Sequence, residues 1–561
     1  MACTHQEVMF DVNLIENSTL ESGLAGWAPV GDCTKLSVHE EDPAKVPTET
    51  INDVPDDYRP SGRYILASGR ADDKDGLCQA ITASLKPRVT YRVSGWISLG
   101  DGAEEGGSHA VCVGLRVDDD ENVHGAAVCA EPGKWTEIKG AFRLKKSPCG
   151  AAVHVHGAPA GVDVKVMDLQ VFATDRKKRF RKLRKKTDKV RKRDVVLNFG
   201  AAGGASGISG ASVRVMQMDS NFPFGACINT NVINNPSFVD FFTKHFDWAV
   251  LENELKWYHT EAQQGQLNYA DADALLDFCD KYGKPVRGHC IFWAVDNTVQ
   301  QWVKGLDTDA LRSAVQGRLQ SLLTRYAGRF PHYDVNNEML HGSFYKDRLG
   351  DDINAFMFRE TTRLDPGATL FVNDYNVEGG ADPNATPEKY IEQINALQQK
   401  GAAVGGIGLQ GHVTNPVGEI LCDALDKLAT TDLPVWLTEL DVSESDVDLR
   451  AEDLEVVLRE AYAHPAVEGV VFWGFMQGNM WRQDACLVNA DGTVNDAGER
   501  FVDLRREWTS HARGHIDSDG HFKFRGYHGT YIVQLSTGTG KVHKTFSVEK
   551  GDTPLVLDMN L

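Results

Sequence analysis

Between residues 220 and 508 two hydrophobic rhythms alternate. Short, nearly continuous apolar runs, such as WAVLEN (248–253) and GVVFWGF (469–475), read as buried strands. Between them lie ADALLDFCDKYGK, DALRSAVQGRLQSLLTRYAG and PEKYIEQINALQQKGA, where apolar residues recur every three or four positions, the period of an amphipathic helix. The other strand candidates are FPFGACIN (222–229), PVRGHCIFW (285–293), YDVNNE (333–338), TLFVNDYN (369–376), GIGLQGH (406–412) and PVWLTELDV (434–442). Eight βα units in a segment of this length are the count and size of a TIM (β/α)8 barrel.

Upstream the pattern changes. Residues 10–175 carry alternating runs (RYILAS, TYRVSGWISL, AVCVGLRV, AAVHVHG, VDVKVMDLQVF) separated by Gly, Pro, Asn and Asp clusters, which predicts a β-sandwich. Residues 176–193 hold thirteen Lys or Arg, one Asp and few apolar residues, and read as a solvated, partly helical linker sensitive to trypsin. Residues 194–219 read as two connecting strands around a Gly/Ser-rich loop, and 509–561 as a small antiparallel C-terminal β region. The expected architecture is therefore multidomain: an N-terminal β-sandwich, a basic linker, an α/β barrel over 220–508, and a C-terminal β appendage.

Composition narrows the partners. The 561 residues are 42% apolar and 25% charged, enough to bury sizeable cores, and no run of 18 or more apolar residues suggests a membrane span. The formal charge is −20 despite a local +12 in the basic run, so the remainder is strongly acidic and unsuited to wrapping a polyanion. With only Phe180 interleaved, the run predicts salt-sensitive, unspecific contact with nucleic acid at best. The eleven cysteines form no Cys-x-x-Cys pair, which fits reduced thiols and neither a disulfide framework nor a zinc site. The opening MACTHQEVMFDVNLIENS lacks the basic lead and apolar core of a signal peptide, so the expected location is cytoplasmic as written, with the cell wall or extracellular space reached by release on lysis, by unconventional export or from a start further upstream.

Polar residues gather at the ends of the barrel strands: Glu252 and Asn253, His289 and Trp293, Asn337 and Glu338, Asn373 and Asp374, Gln410 and His412, Glu439 and Asp441, and Trp473 with Trp481 behind it. Barrel strands end on one face, so these residues converge, and so many polar ends together predict a binding site. Amides and carboxylates suit sugar hydroxyls, and indoles stack on sugar rings. No GxxxxGK[ST] loop or HExxH pair supports a nucleotide or metal, so no cofactor is expected. Two glutamates on nonadjacent strands, Glu338 and Glu439, supply the proton donor and the anionic carboxylate that glycosidic cleavage needs.

LENELKW (251–257), VRGHCIFW (286–293), DVNNE (334–338), NDYN (373–376), GLQGH (408–412), LTELDV (437–442) and FWGF with Trp481-Arg482 occur in this order. The segment closely resembles glycoside hydrolase family 10, the endo-β-1,4-xylanases, in the layout of its plant members. The resemblance implies Glu338 as general acid/base, Glu439 as nucleophile and a retaining mechanism, with His412 and Asp441 orienting the nucleophile and Asn337 holding a sugar 2-hydroxyl. It implies Glu252, Asn253, Lys256, His289 and Gln410 as sugar contacts and Trp293, Trp473 and Trp481 as aromatic walls. Two departures bear on substrate preference: Ala294 stands where many members have His, and QGNMWRQDACLV (477–488) is atypical.

The N-terminal segment resembles carbohydrate-binding module family 22 through NLIENSTLESGLAGW (13–27), YILASGRADDKDGLCQAI (64–81) and YRVSGWISL (91–99). Arg70 remains, but Lys74 replaces an expected aromatic, and His154 and His156 replace Tyr-x-Glu, so a retained scaffold domain is the expectation. The expected partner is thus xylan or a xylo-oligosaccharide, with no membrane or nucleic acid; the sequence sets no oligomeric state. The alternatives are a retaining β-1,4-glycanase of other or mixed specificity and, in a different class, a non-catalytic glycan-binding protein.

Overall fold

The computed structural model describes residues 8–47, 59–82, 85–118, 121–200, 209–537 and 540–559; most of the Gly/Ser-rich loop (201–208) lies outside the described residues. The chain forms two compact units. One comprises residues 1–177, 255–268 and 288–433, the other 178–254, 269–287 and 434–561.

The βα alternation predicted for 220–508 is present, and the fold class is the TIM (β/α)8 type. Its strands are β1 (Phe224–Ile228), β2 (Trp248–Leu251), β3 (Val286–Arg287), β4 (His332–Asp334), β5 (Thr369–Asp374), β6 (Gly406–Leu409), β7 (Val435–Val442) and β8 (Val467–Phe472). In the second unit β1 pairs with β2 and β8, β2 with β3, and β7 with β8, all parallel. In the first unit β4 pairs with β5 and β5 with β6, again parallel. Beyond β3 and β4 the short strands Phe292–Trp293 and Asn336–Asn337 pair in register, setting Trp293 beside Asn337. Gly288 is required at the approach to this pair, because a Cβ there would lie 2.5 Å from the Tyr333 ring.

Helix starts follow local chemistry. The side chains of Asn235, Asp307, Thr386, Asp446 and Asn495 each accept from backbone amides of the first helical turn, relieving donors that have no intrahelical partner. Pro236 and Pro387 occupy first-turn positions where a missing N–H costs nothing.

The N-terminal domain is a set of antiparallel strands from Ala28–Val30 to Val164–Ala173 around a core that includes Ile65, Tyr91, Val113, Phe142 and Val155. Its two layers join where Ala126 pairs with Gly140. A Cβ on Gly140 would sit 2.0 Å from the Gly125 carbonyl oxygen, so only glycine lets the layers approach this closely.

The basic run departs from its reading as a linker. It is a helix, Arg176–Arg191, and Arg179, Leu183 and Thr187 form a buried stripe at four-residue spacing. Its acidic partners come from far along the chain. Arg179 donates two parallel bonds to Glu460 (2.5 and 2.8 Å), while Arg191 donates to the carbonyls of Tyr462, His464 and Val467, each at 2.6 Å. Burial pulls the Arg191 guanidinium down to about 10, against the charge of Glu468, and those carbonyls take its hydrogen bonds.

The segments read as connecting strands and as a C-terminal appendage prove to be one β structure. Lys192–Asn198 pairs antiparallel with His521–Tyr527 and parallel with Leu555–Asp558; Ser212–Ser220 pairs with His511–His515 and Gly529–Thr537. They share a core of Val195, Leu197, Val213, Tyr531 and Val533. The cysteines at described positions are unbridged, and no described helix is long and apolar enough to cross a membrane.

Candidate active site

Glu338 follows the strand Asn336–Asn337 with φ near +60°, a left-handed conformation costly for a residue with a Cβ. Its amide donates to the Asn373 carbonyl at 2.9 Å. Its carboxyl is gripped from two sides: Trp293 Nε1 donates to Oε2 at 2.7 Å and Gln410 Nε2 to Oε1 at 3.0 Å. A primary amide can donate to a carboxylate or, turned over, accept from a carboxylic O–H, so Gln410 suits a group that alternates between the two forms. The Lys256 ammonium lies 4.7 Å over the Trp293 ring. Asn337 Oδ1 accepts from Asn373 Nδ2 at 2.9 Å, and the buried His289 is oriented by Asp334 at 2.8 Å.

Asp374, one of the polar strand ends, gathers His341 and Asp382, two groups the sequence reading did not name. Asp374 accepts from the Leu340 amide and bonds His341 Nδ1 at 2.6 Å; the other nitrogen of His341 reaches Asp382 at 3.0 Å. Burial works against an imidazolium, but these two carboxylates outweigh it and hold His341 above its ordinary value. His341 stacks on Tyr375 at 3.7 Å between ring centroids, and burial followed by the charge of Glu338 pushes the Tyr375 phenol up to about 12. NDYN carries Asp374 and Tyr375, but His341 and Asp382 lie outside the motifs, and their meeting with Asp374 is a tertiary fact.

In the other unit Glu439 and Asp441 are both buried on β7. Two residues apart, they share one face of the strand. Asp441 accepts from Trp481 Nε1 at 2.8 Å and from Arg482 at 3.1 Å, a charged partner for Asp441 that the sequence reading did not pair with it. Trp481 is 57% exposed while Trp473 is 8% exposed, so of these two indoles only the first offers a broad free surface. Glu252 accepts from Asn229 Nδ2 at 2.7 Å, and the Asn253 amide donates to Glu254. One described trio could offer three metal ligands, Asp517, Asp519 and His521; it includes none of these residues.

On the N-terminal domain Arg70 is buried and donates to the carbonyls of Asp75, Ala158, Pro159 and Val162, a structural use of its guanidinium. His154 and His156 stack at 4.6 Å. Burial, with the charge of His156, draws His154 down to about 4.

The profile of Glycosyl hydrolase family 10 matches residues 213–504, and that of a carbohydrate binding domain matches 12–161. The chain belongs to glycosyl hydrolase family 10. It is 50% identical over 554 residues to Endo-1,4-beta-xylanase 1 of Arabidopsis thaliana, covering 98% of this chain and 58% of that protein. It is 49% identical to Endo-1,4-beta-xylanase 3 of the same plant, covering 98% and 74% respectively. The chain thus spans little more than half of the first of these relatives. The anti-sigma-I factor RsgI6 of Acetivibrio thermocellus is 40% identical over 375 residues, covering 66% and 48%. Among solved structures, xylanase 10B of Thermotoga petrophila in complex with xylobiose aligns at 23% identity with a TM-score of 0.48, covering 52% of this chain and 98% of that one.

Proposed function

We propose that the protein is an endo-1,4-β-xylanase that cleaves internal bonds of xylan with retention of anomeric configuration. The observation that carries this reading is the seat of Glu338, held by an indole N–H and a convertible amide beside a lysine-capped tryptophan. The names of the two Arabidopsis relatives support the substrate. Glu338 donates its proton to the leaving oxygen while Glu439 attacks the anomeric carbon, forming a glycosyl-enzyme; water, deprotonated by Glu338, then releases the sugar and frees Glu439. The chemistry requires the two carboxyls about 5–5.5 Å apart. His412 and Asp441 orient Glu439, and the bonds from Trp481 and Arg482 hold the Asp441 carboxyl in place. Asn337, fixed by Asn373, holds the sugar 2-hydroxyl; Glu252, Asn253, Lys256, His289 and Gln410 serve as sugar contacts, with Trp293 and Trp481 as aromatic walls and the buried Trp473 offering at most an edge.

The decisive experiment pairs two variants. E439A abolishes release of reducing sugar from xylan, and azide restores turnover with inverted product; E338A spares aryl xylosides whose leaving group needs no proton. An E338A enzyme fully active on xylan refutes the assignment. A second reading, glycan binding without turnover, is favoured only by the anti-sigma-I factor relative, and reducing-sugar release by the wild-type protein excludes it.

A further inference from the structure

In the unit that holds residues 1–177 and 288–433, the N-terminal sandwich is seated on the barrel helices through buried charge. Lys139, on the sandwich strand Thr136–Arg143, contacts Asp423 of the helix Gly418–Ala429; the two are 8% and 4% exposed. Lys427 of that helix reaches Asp423 at 3.2 Å, Glu388 at 2.8 Å and the sandwich's Glu137 at 4.0 Å, and Glu137 returns to Lys139 at 3.6 Å. A domain on a flexible tether would leave these groups in water, which solvates them better than a half-committed contact can. Burying a lysine and an aspartate is tolerable only where the geometry is fixed and both partners stay in place.

The same seat reaches the loop behind β5. The Ala127 amide lies 3.5 Å from the Gly380 carbonyl, the His124 ring 3.3 Å from the Ala381 carbonyl, and Lys389, bonded to the Pro383 carbonyl, comes within 3.9 Å of Cys129 Sγ. Two residues beyond Gly380, Asp382 holds His341 and Asn376. His341 in turn bonds Asp374, and its backbone amide donates to the Glu338 carbonyl at 3.1 Å. Each step from sandwich to acid/base is thus a direct contact or a short stretch of backbone.

We infer that the N-terminal domain is a positioning element of the catalytic centre, clamped by the Lys139–Asp423–Lys427 network so that it braces the 376–386 loop and, through His341, the setting of Glu338. The inference rests on the xylanase reading for its kinetic arm alone.

The test uses the full chain with K139E, D423K and the swap K139E/D423K, alongside the milder K139A. The substrate is an aryl β-xylobioside too short to need a separate binding domain. Small displacements of positioned groups cost up to about a hundredfold in rate, so each reversal should lower kcat at least about tenfold with little change in KM. The swap should restore kcat to within about threefold. Calorimetry should show the single variants melting in separate steps that the swap merges, and this arm needs no turnover. If the wild type is inactive yet the reversals split the melting, the functional reading fails and the clamp stands. Unchanged kcat on the aryl substrate in folded K139A, K139E and D423K proteins, or kcat that the swap does not recover, overturns the inference.

Discussion

Replacing Glu460 with Gln probes the contact that turns a basic run into a packed helix. The Glu460 side chain is 1% exposed and that of Arg179 8%, and two parallel bonds join them. Gln preserves the shape but removes the carboxylate charge that receives both of these bonds from the buried guanidinium. Breaking a buried pair from one side costs about 3–5 kcal/mol. In a cooperative unit of 150–250 residues each kcal/mol moves Tm by about 2–4 °C, so E460Q should melt roughly 6–20 °C lower. The apolar replacement R179M/E460L removes both charges and should regain most of that loss, since such swaps are often neutral or better. Differential scanning calorimetry gives Tm, and limited trypsin digestion reports the helix directly: intact in wild type, nicked within 176–193 in E460Q. An E460Q protein within about 1 kcal/mol of wild type, or a double variant no better than the single, would refute a helix held by this pair.

Two further outcomes follow from the site and the sandwich. W293F removes the N–H that Glu338 Oε2 accepts; a hydrogen bond to a charged group is worth about 1.5–3 kcal/mol, so kcat/KM on xylan should fall about ten- to a hundredfold, and the limb of the pH profile set by Glu338 should move. His154 is drawn down to about 4 by burial, below its unfolded value near 6.5, so its contribution is complete above about pH 6.5 and is lost as pH falls toward 4. That amounts to roughly 3 kcal/mol of sandwich stability by the linkage relation, and H154Q should flatten the acid limb of the thermal stability curve; a limb unchanged in H154Q counts against the assignment.

The barrel was legible because its information is local. Continuous apolar runs report strands buried on both faces, and the three-to-four spacing reports helices packed outside them. The candidate site was marked for a related reason: polar residues at strand ends have no structural duty in an apolar strand, so Glu338, Gln410, Glu439 and Asp441 stood out, and the fold brings Gln410 to the Glu338 carboxyl. His341 did not, because it lies three residues past Glu338 in a loop, and its importance comes from Asp374 and Asp382, more than thirty residues away. The left-handed backbone at Glu338 was equally invisible, since a strained φ is imposed by the surroundings and has no residue signature when the residue is not glycine.

What the sequence concealed is mostly the choice of partners between distant segments. The run 176–193 looked solvated because its own neighbours offer a single acid; Glu460 and Glu507 supply the missing charge from beyond position 450. The strand Lys192–Asn198 looked like a connector because alternation over seven residues identifies a strand without saying what it pairs with. In the fold it lies between His521–Tyr527 and Leu555–Asp558, so segments flanking the barrel in sequence complete one hydrophobic core. Neither side can bury Val195, Leu197, Tyr531 and Val533 by itself. The chain after residue 509 is therefore a structural requirement of the chain before 220, and removing it would strip a core strand of both its neighbours.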